Sequence, residues 1–177
     1  MTAPVERLAA VPATLIADAA AGDREAFTEL VAAFHHDMVR LAMVVSCDAD
    51  IANDAVQAAW QHAWRKLSQL RDPARIRPWL LSIAANEARQ ALRRRSYLVA
   101  VPAEMGDDRR PADDPIDLVD LRQALGTLSP QDRRLIGLRY VSGFNATELG
   151  PMVGLSPEGV RSRLKRILAR LRKELGE

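Results

Sequence analysis

The side chains of this 177-residue chain best equipped for chemistry are arginines, gathered in two clusters with aromatic, amide and hydroxyl groups between them. One cluster runs from Arg71 through Arg75, Arg77, Trp79, Ile83, Asn86 and Gln90 to Arg93-Arg94-Arg95. The other holds Ser156, Glu158, Gly159, Arg161, Ser162, Arg163, Lys165 and Arg166. Guanidinium forks match phosphates and guanine edges. Aromatic and amide groups between arginines suit single-stranded or opened DNA, whose bases stack and present their edges. The plainer alternative is that Trp79 and Ile83 fill a second core contact and the arginine run is a solvated helix end. Nothing in the chain suggests catalysis. It has no Ser/His/Asp or Cys/His set, no phosphate-cradling glycine loop and no paired-carboxylate helix. The adjacent His35 and His36 point in different directions and His62 is isolated, so neither a metal site nor a cofactor is expected.

The charge distribution supports a polyanion partner more clearly than the net charge of +2 does. Residues 1–70 carry 5 basic and 9 acidic groups, and residues 71–97 carry 7 and 2. Residues 98–117 carry 2 and 6, and residues 118–177 carry 11 and 6. Two basic blocks therefore flank an acidic connector, which is the footprint expected of nucleic-acid binding. Of the 25 basic residues, 22 are Arg, although a GC-rich genome would produce the same bias. The single cysteine, Cys47, excludes an intramolecular disulfide and fits a reducing cytosol. The first residues lack a basic segment followed by an apolar run, and no stretch approaches the ~18 apolar residues of a membrane span. The expectation is a cytoplasmic protein without membrane insertion.

The elements that must position these clusters read as helices. Ala occurs 29 times, aromatics make up 5% of the chain, and β-branched runs are scarce. A short helix ends near Gly22. Phe27, Leu30, Val31, Phe34, Met38, Leu41 and Val45 then recur at helical spacing up to Ser46. A third helix runs from about Asp50 to Leu70 with Val56, Trp60, Trp64 and Leu67 along one side. Tryptophans at that spacing are either core or, if exposed, a protein interface. A fourth helix starts near Arg75 with Pro78 in its first turn and reaches Arg95. Its small-residue side (Leu80, Ala84, Ala88, Ala91, Leu92) invites close packing of another helix.

Residues 98–117, with Pro102, Gly106, Pro111 and Pro115, read as a linker. Beyond it, Ser129-Pro130, Asn145-Ala146-Thr147-Glu148 and Ser156-Pro157 are helix starts. Residues 145–173 form helix, tight turn at Gly154-Leu155, and long helix. On the long helix Val160, Leu164, Ile167, Leu171 and Leu175 take one side and Glu158, Arg161, Ser162 and Lys165 the other, free to enter a major groove. The cap at Ser156 also points free backbone N–H groups outward, toward a phosphate. Gly150-Pro151 predicts that the first helix of this pair is kinked or short, since an internal proline costs ~3 kcal/mol. The fold class expected is all-α: an N-terminal domain over residues 13–97, an acidic flexible linker over 98–117 and a C-terminal domain over 118–177.

In order and spacing these blocks resemble the extracytoplasmic-function (group IV) sigma factors of bacterial RNA polymerase, members of the sigma-70 family. Ala21-Gly22-Asp23-Arg24-Glu25-Ala26-Phe27 looks like the start of region 2. Asp54-Ala55-Val56-Gln57 with Trp60 and Trp64 looks like region 2.2. Trp79-Leu80, Ile83-Ala84, Asn86 and Arg93-Arg94-Arg95 look like regions 2.3 and 2.4. Leu128-Ser129-Pro130 to Leu138-Arg139-Tyr140, then Gly159-Val160-Arg161-Ser162-Arg163-Leu164, look like region 4.

The resemblance implies a promoter-specificity subunit that binds core polymerase (β′ clamp, β flap) and promoter DNA and helps open the duplex. Asp54, Gln57, Trp60, Gln61 and Trp64 would dock on the β′ clamp helices. Arg75, Arg77, Trp79, Ile83, Asn86, Gln90 and Arg93 would bind the −10 element and the opened strand. Ser156, Glu158, Gly159, Arg161, Ser162, Arg163, Lys165 and Arg166 would serve the −35 element. The linker would thread toward the RNA exit path, and the free protein would be a monomer. Anti-sigma partners are common in the family. Four positions depart from its pattern: Ala58 stands in place of an acid, Gly150-Pro151 in place of Ala-Glu, and Gly159 in place of a common Thr. The rival reading is a stand-alone helix-turn-helix regulator whose N-terminal block dimerises.

Overall fold

In a computed structural model, which describes residues 11–98 and 116–176, every regular element is helical. The expected linker falls outside those residues, apart from its two ends. Helix α1 (Ala13–Ala20) leads into α2 (Arg24–Ser46), which starts where the Asp23 carboxylate accepts from the backbone N–H groups of Glu25 and Ala26 at 2.8 and 3.0 Å. The apolar spacing read from the sequence is realised: Leu30, Phe34, Met38, Leu41 and Val45 are buried, and Phe27 and Val31 half-buried. A left-handed residue, Cys47 (φ 58°), ends α2, and Asp48 caps α3 (Ala49–Lys66) by accepting from Ile51 N–H at 2.9 Å. The α-helical part of α3 stops short of Leu70, because Leu67–Gln69 tighten into a 3₁₀ turn. Pro78 lies in the first turn of α4 (Ile76–Leu98), where its missing N–H has no intrahelical partner to lose.

Helices α2, α3 and α4 pack against one another pairwise, with α1 across α2. The contact of α3 with α4 is built from alanines. Ala52, Ala55, Ala59 and Ala63 on α3 and Ala84, Ala85 and Ala88 on α4 are all buried, and side chains that small let two helix axes approach closely.

The second group comprises α5 (Ile116–Gly126), α6 (Pro130–Ile136), α7 (Ala146–Val153) and α8 (Pro157–Glu174). Ser129 caps α6 with Pro130 at its first position. A wide turn of π type, Gly137–Val141, continues α6, with Ser142 N–H donating to the Gly137 carbonyl at 3.1 Å. Asn145 and Glu148 form a reciprocal capping box at the start of α7. Pro151 sits inside α7, and the helix is short, eight residues ending in a left-handed turn at Gly154. Just before the proline, Gly150 makes room for the turn: a Cβ there would lie 2.8 Å from the Leu155 carbonyl oxygen, so glycine lets the chain fold back tightly under the helix end.

The two groups meet along a seam formed by α2 and α4 on one side and α6, the π turn and α7 on the other. Gly137 lies against α2: a Cβ at that position would stand 2.6 Å from Leu41 Cδ1 and 3.3 Å from Val44 Cγ1. Arg133, though charged, is buried in the seam. Its Nε donates to the Val45 carbonyl at 2.7 Å, and its Nη1 reaches the carbonyls of Leu125, Gly126 and Leu128 at 3.3 to 3.5 Å. It thus gathers carbonyls at the end of α5 and in the turn after it while reaching across to the last turn of α2. Arg77 is the second crossing. It is paired with Asp37 of α2 at 2.9 Å and donates to the Ser142 carbonyl at 2.7 Å.

Candidate nucleic-acid and protein interfaces

Helix α8 presents its sequence-predicted residues in two sets. Glu158, Arg161, Ser162, Lys165 and Arg166 are exposed, opposite the buried Val160, Leu164, Ile167 and Leu171. Glu158 and Arg161 lie 3.9 Å apart, one turn along, with both side chains largely in solvent, so the pair contributes little and leaves Arg161 free to exchange partners. The helix is the second of a helix-turn-helix pair with α7, and its exposed stripe is what such a helix offers a major groove.

The other predicted members of this cluster are structural. Ser156 is the N-cap, its hydroxyl accepting from Gly159 N–H at 3.0 Å. Gly159 is half-buried, and a Cβ there would press on Ser156 Oγ at 3.3 Å. Arg163 is held by Asp132 of α6 at 2.8 Å and points back into its own domain rather than out with Arg161. Those three fix the stripe in place.

On α3 the predicted protein-docking residues also divide. Asp54, Gln57, Gln61 and Trp64 are exposed, at successive spacings of three and four that place them on one face. Trp60 is different: it is buried, meets Phe27 edge-to-face at 5.6 Å between ring centroids, and its indole N–H donates to His35 Nδ1 at 3.2 Å. A buried indole with a satisfied N–H is a core residue, which corrects its assignment to a docking surface. Trp64, 40% exposed, also meets Phe27, at 4.8 Å, and keeps one side in solvent. Ala58, half-buried, lines a groove between α3 and α4 with Asp54, Glu87 and Arg94.

The first arginine cluster is the most changed by folding. Arg75, Gln90 and Arg93 are exposed as expected. Ile83 is only 8% exposed and belongs to the apolar core, so the plainer reading of its role holds in this arrangement. Arg77 is engaged in the seam. Trp79 and Asn86 are half-buried, and each lines a cleft shared with the second domain: Trp79 faces Phe144, Thr147 and Pro151, and Asn86 faces Gln131, Arg134 and Met152. Residues 78, 79, 82, 86 and 89 of α4 thus form the seam side of that helix.

Sequence reasoning missed Arg89, Arg133 and Arg134, which it counted only as charge. Arg133 and Arg134 are 7% and 9% exposed. A pair of charged residues directly before Leu135, Ile136 and Leu138, inside a short capped helix, was the available signal of burial.

Comparison with known proteins matches residues 30–97 to the Sigma-70 region 2 family and residues 124–173 to the Sigma-70, region 4 family. The probable RNA polymerase sigma factor RfaY of Xanthomonas campestris is 32% identical over 89% of this chain, which spans 42% of that protein's length. The RNA polymerase sigma factor CarQ of Myxococcus xanthus is 35% identical over 88% of this chain and 92% of its own. Among solved structures, that of CnrH in complex with the cytosolic domain of CnrY superposes with a TM-score of 0.70 at 28% identity, covering 94% of this chain and 97% of that one.

Proposed function

The chain belongs to the sigma-70 family as an RNA polymerase sigma factor of the extracytoplasmic-function kind, and from that premise we propose which of its surfaces carry the work. Such factors bind core polymerase and promoter DNA and act as initiation factors. Glu158, Arg161, Ser162, Lys165 and Arg166 of α8 read the −35 element, with Ser156 and Gly159 setting the start of that helix against the phosphates. Asp54, Gln57, Gln61 and Trp64 of α3 dock on the polymerase clamp. Arg75, Trp79, Asn86, Gln90 and Arg93 serve the −10 element, joined by Arg77 once the seam has opened. The domains correspond to residues 13–97 and 118–177 with an acidic linker between them. The chain acts in the cytoplasm and by binding rather than by catalysis.

The observation that carries this reading is the exposed stripe of five polar and charged residues on the second helix of a helix-turn-helix, held in place by Arg163–Asp132 behind it. In the closed arrangement, the −10 residues Trp79 and Asn86 face the second domain. Engaging opened DNA therefore requires the seam to part. The test is co-elution of the purified chain with bacterial core RNA polymerase, followed by transcription from genomic fragments. Stoichiometric binding with initiation at specific sites is the expected result. DNA binding as a symmetric dimer that needs no polymerase would favour a stand-alone regulator instead.

A further inference from the structure

Between α4, α6 and α7 lies a cleft of about 340 Å³ whose charged lining is entirely cationic. Arg89 enters it from the first domain, and Arg134 and Arg163 from the second, with Asn86 and Gln131 beside them. Arg163 is already neutralised by Asp132 at 2.8 Å. Arg89 and Arg134 are not: no Asp or Glu lines the cleft, and neither residue forms an ion pair among the described residues. Arg134 is nine-tenths buried and uses only Nη2, to the Met152 carbonyl at 3.2 Å. The Nε–H groups of both Arg89 and Arg134 are shielded from solvent and have no acceptor. Burial first, and the Arg89 charge second, hold the Arg134 guanidinium below its ordinary pKa. Buried donors almost always find partners, and an unpaired buried charge is among the most unfavourable groups a fold can carry.

We propose that this cleft is an oxyanion site, and that its ligand is a small phosphate-bearing molecule bridging Arg89 of one domain and Arg134 of the other. Two guanidinium groups offer a formal charge of +2 and forked donors that fit the tetrahedral oxygens of a phosphate. Asn86 and Gln131 supply amide N–H groups at the rim. A cleft of about 340 Å³ is larger than a lone phosphate needs, so a diphosphate or a phosphate with a substituent fits. Because each domain contributes one arginine, the ligand binds the closed arrangement and not the parted one. By mass action it therefore stabilises the closed form.

Isothermal titration of the full chain with inorganic pyrophosphate, at constant ionic strength, tests the site. One saturable site per chain is expected. Arg89→Gln, on a half-exposed side chain whose loss leaves the core intact, should weaken binding by roughly tenfold or more, the loss of a charged hydrogen bond. Arg134→Met should do the same, giving a second variant independent of the first. Arg24→Gln, an exposed arginine on α2 remote from the cleft, is the charge-matched control and should bind as the parent does. A second titration with ADP separates the two sources. Tighter binding than pyrophosphate assigns the ligand to a nucleotide, and equal binding assigns it to the phosphate groups alone. Absence of saturation, undiminished binding by Arg89→Gln, or equal weakening by Arg24→Gln would overturn the proposal, the last by reducing the effect to diffuse positive charge.

Discussion

Gly137 offers a way to open the seam without touching any proposed DNA or polymerase contact. A methyl group there would stand 2.6 Å from Leu41 Cδ1 and 3.3 Å from Val44 Cγ1, against an ordinary carbon–carbon separation of ~3.5–4.0 Å. Leu41 is fully buried and cannot swing into solvent, and Val44 is β-branched and stiff. The clash must therefore be relieved by moving α6 and the π turn away from α2. Overpacking of this kind costs about 1–3 kcal/mol, which corresponds to a 5- to 150-fold shift between closed and parted arrangements. Inside the second domain alone the same change is favourable, since alanine exceeds glycine in a helix by about 1 kcal/mol. The substitution thus separates two contributions of opposite sign.

The assay is the distance between spin labels at Asn53→Cys on α3 and Arg172→Cys on α8, both exposed, in a Cys47→Asn background. Asparagine tolerates the left-handed backbone that residue 47 adopts. Gly137→Ala should transfer population to longer distances, and Gly137→Leu should do so almost completely, with helical content retained in both. Were the distances unchanged while the melting temperature fell, the clash would have been absorbed inside one domain. The two domains would then not be joined by a separable seam, and the reasoning would fail.

Trp60→Ala should destabilise the first domain by about 3–5 kcal/mol by emptying a core position. Trp64→Ala should instead leave the melting temperature nearly unchanged and weaken association with core polymerase, so thermal unfolding read beside co-elution distinguishes the two. Arg161→Ala should lower affinity for the cognate upstream element by about 1–3 kcal/mol if it pairs with a base. Arg163→Ala should cost stability without altering sequence preference; equal losses for Arg161→Ala on every DNA sequence would reduce that contact to a phosphate. Burial pushes the Cys47 thiol up, partly offset by the Arg133 and Arg122 charges. Its thiolate should therefore form at higher pH than that of a free cysteine, and iodoacetamide labelling at neutral pH should be correspondingly slow. Labelling should accelerate in Gly137→Ala, and identical pH profiles in the two proteins would show that the seam does not cover this thiol.

Local structure was legible wherever one residue type decides it. Ser129-Pro130, Asn145 with Glu148, and Ser156 all cap the helices their sequences announce, because a short polar side chain beside an apolar run has few other uses. The cost of Pro151 was legible too, but the need for Gly150 beside it was not: the Leu155 carbonyl that approaches Gly150 belongs to the next turn. Depth was harder. Trp60 and Trp64 share a side of α3, yet Phe27 and His35 of α2 decide that one is enclosed and the other half in water. Spacing within a helix carries no information about how far a neighbouring helix extends over it. For the same reason Arg133 and Arg134 read as surface charge. What buries them is the approach of α2 and α4, set by Leu41 and Val45, some 90 residues away in the chain, and by the missing side chain of the neighbouring Gly137.

The seam joins apolar packing, with Gly137 set against Leu41 and Val44, to two polar crossings, a guanidinium on the Val45 carbonyl and another on Asp37 and the Ser142 carbonyl. The polar crossings are the part of it suited to separation. Groups of that kind return to water on separation, so each bond contributes a net of only about 0.5–3 kcal/mol. Arg77 makes the competition explicit, since the side chain that holds Ser142 is also a proposed −10 contact, and a DNA phosphate would replace the carbonyl with a stronger, charged acceptor. If the closed form is favoured by ~3 kcal/mol, only about one molecule in 150 is competent to engage opened DNA, and apparent affinity for that DNA falls by the same factor. An interface of ordinary size accommodates such a loss. A seam twice as strong would exceed a ~10⁴-fold loss and silence the factor, so its net strength must stay small.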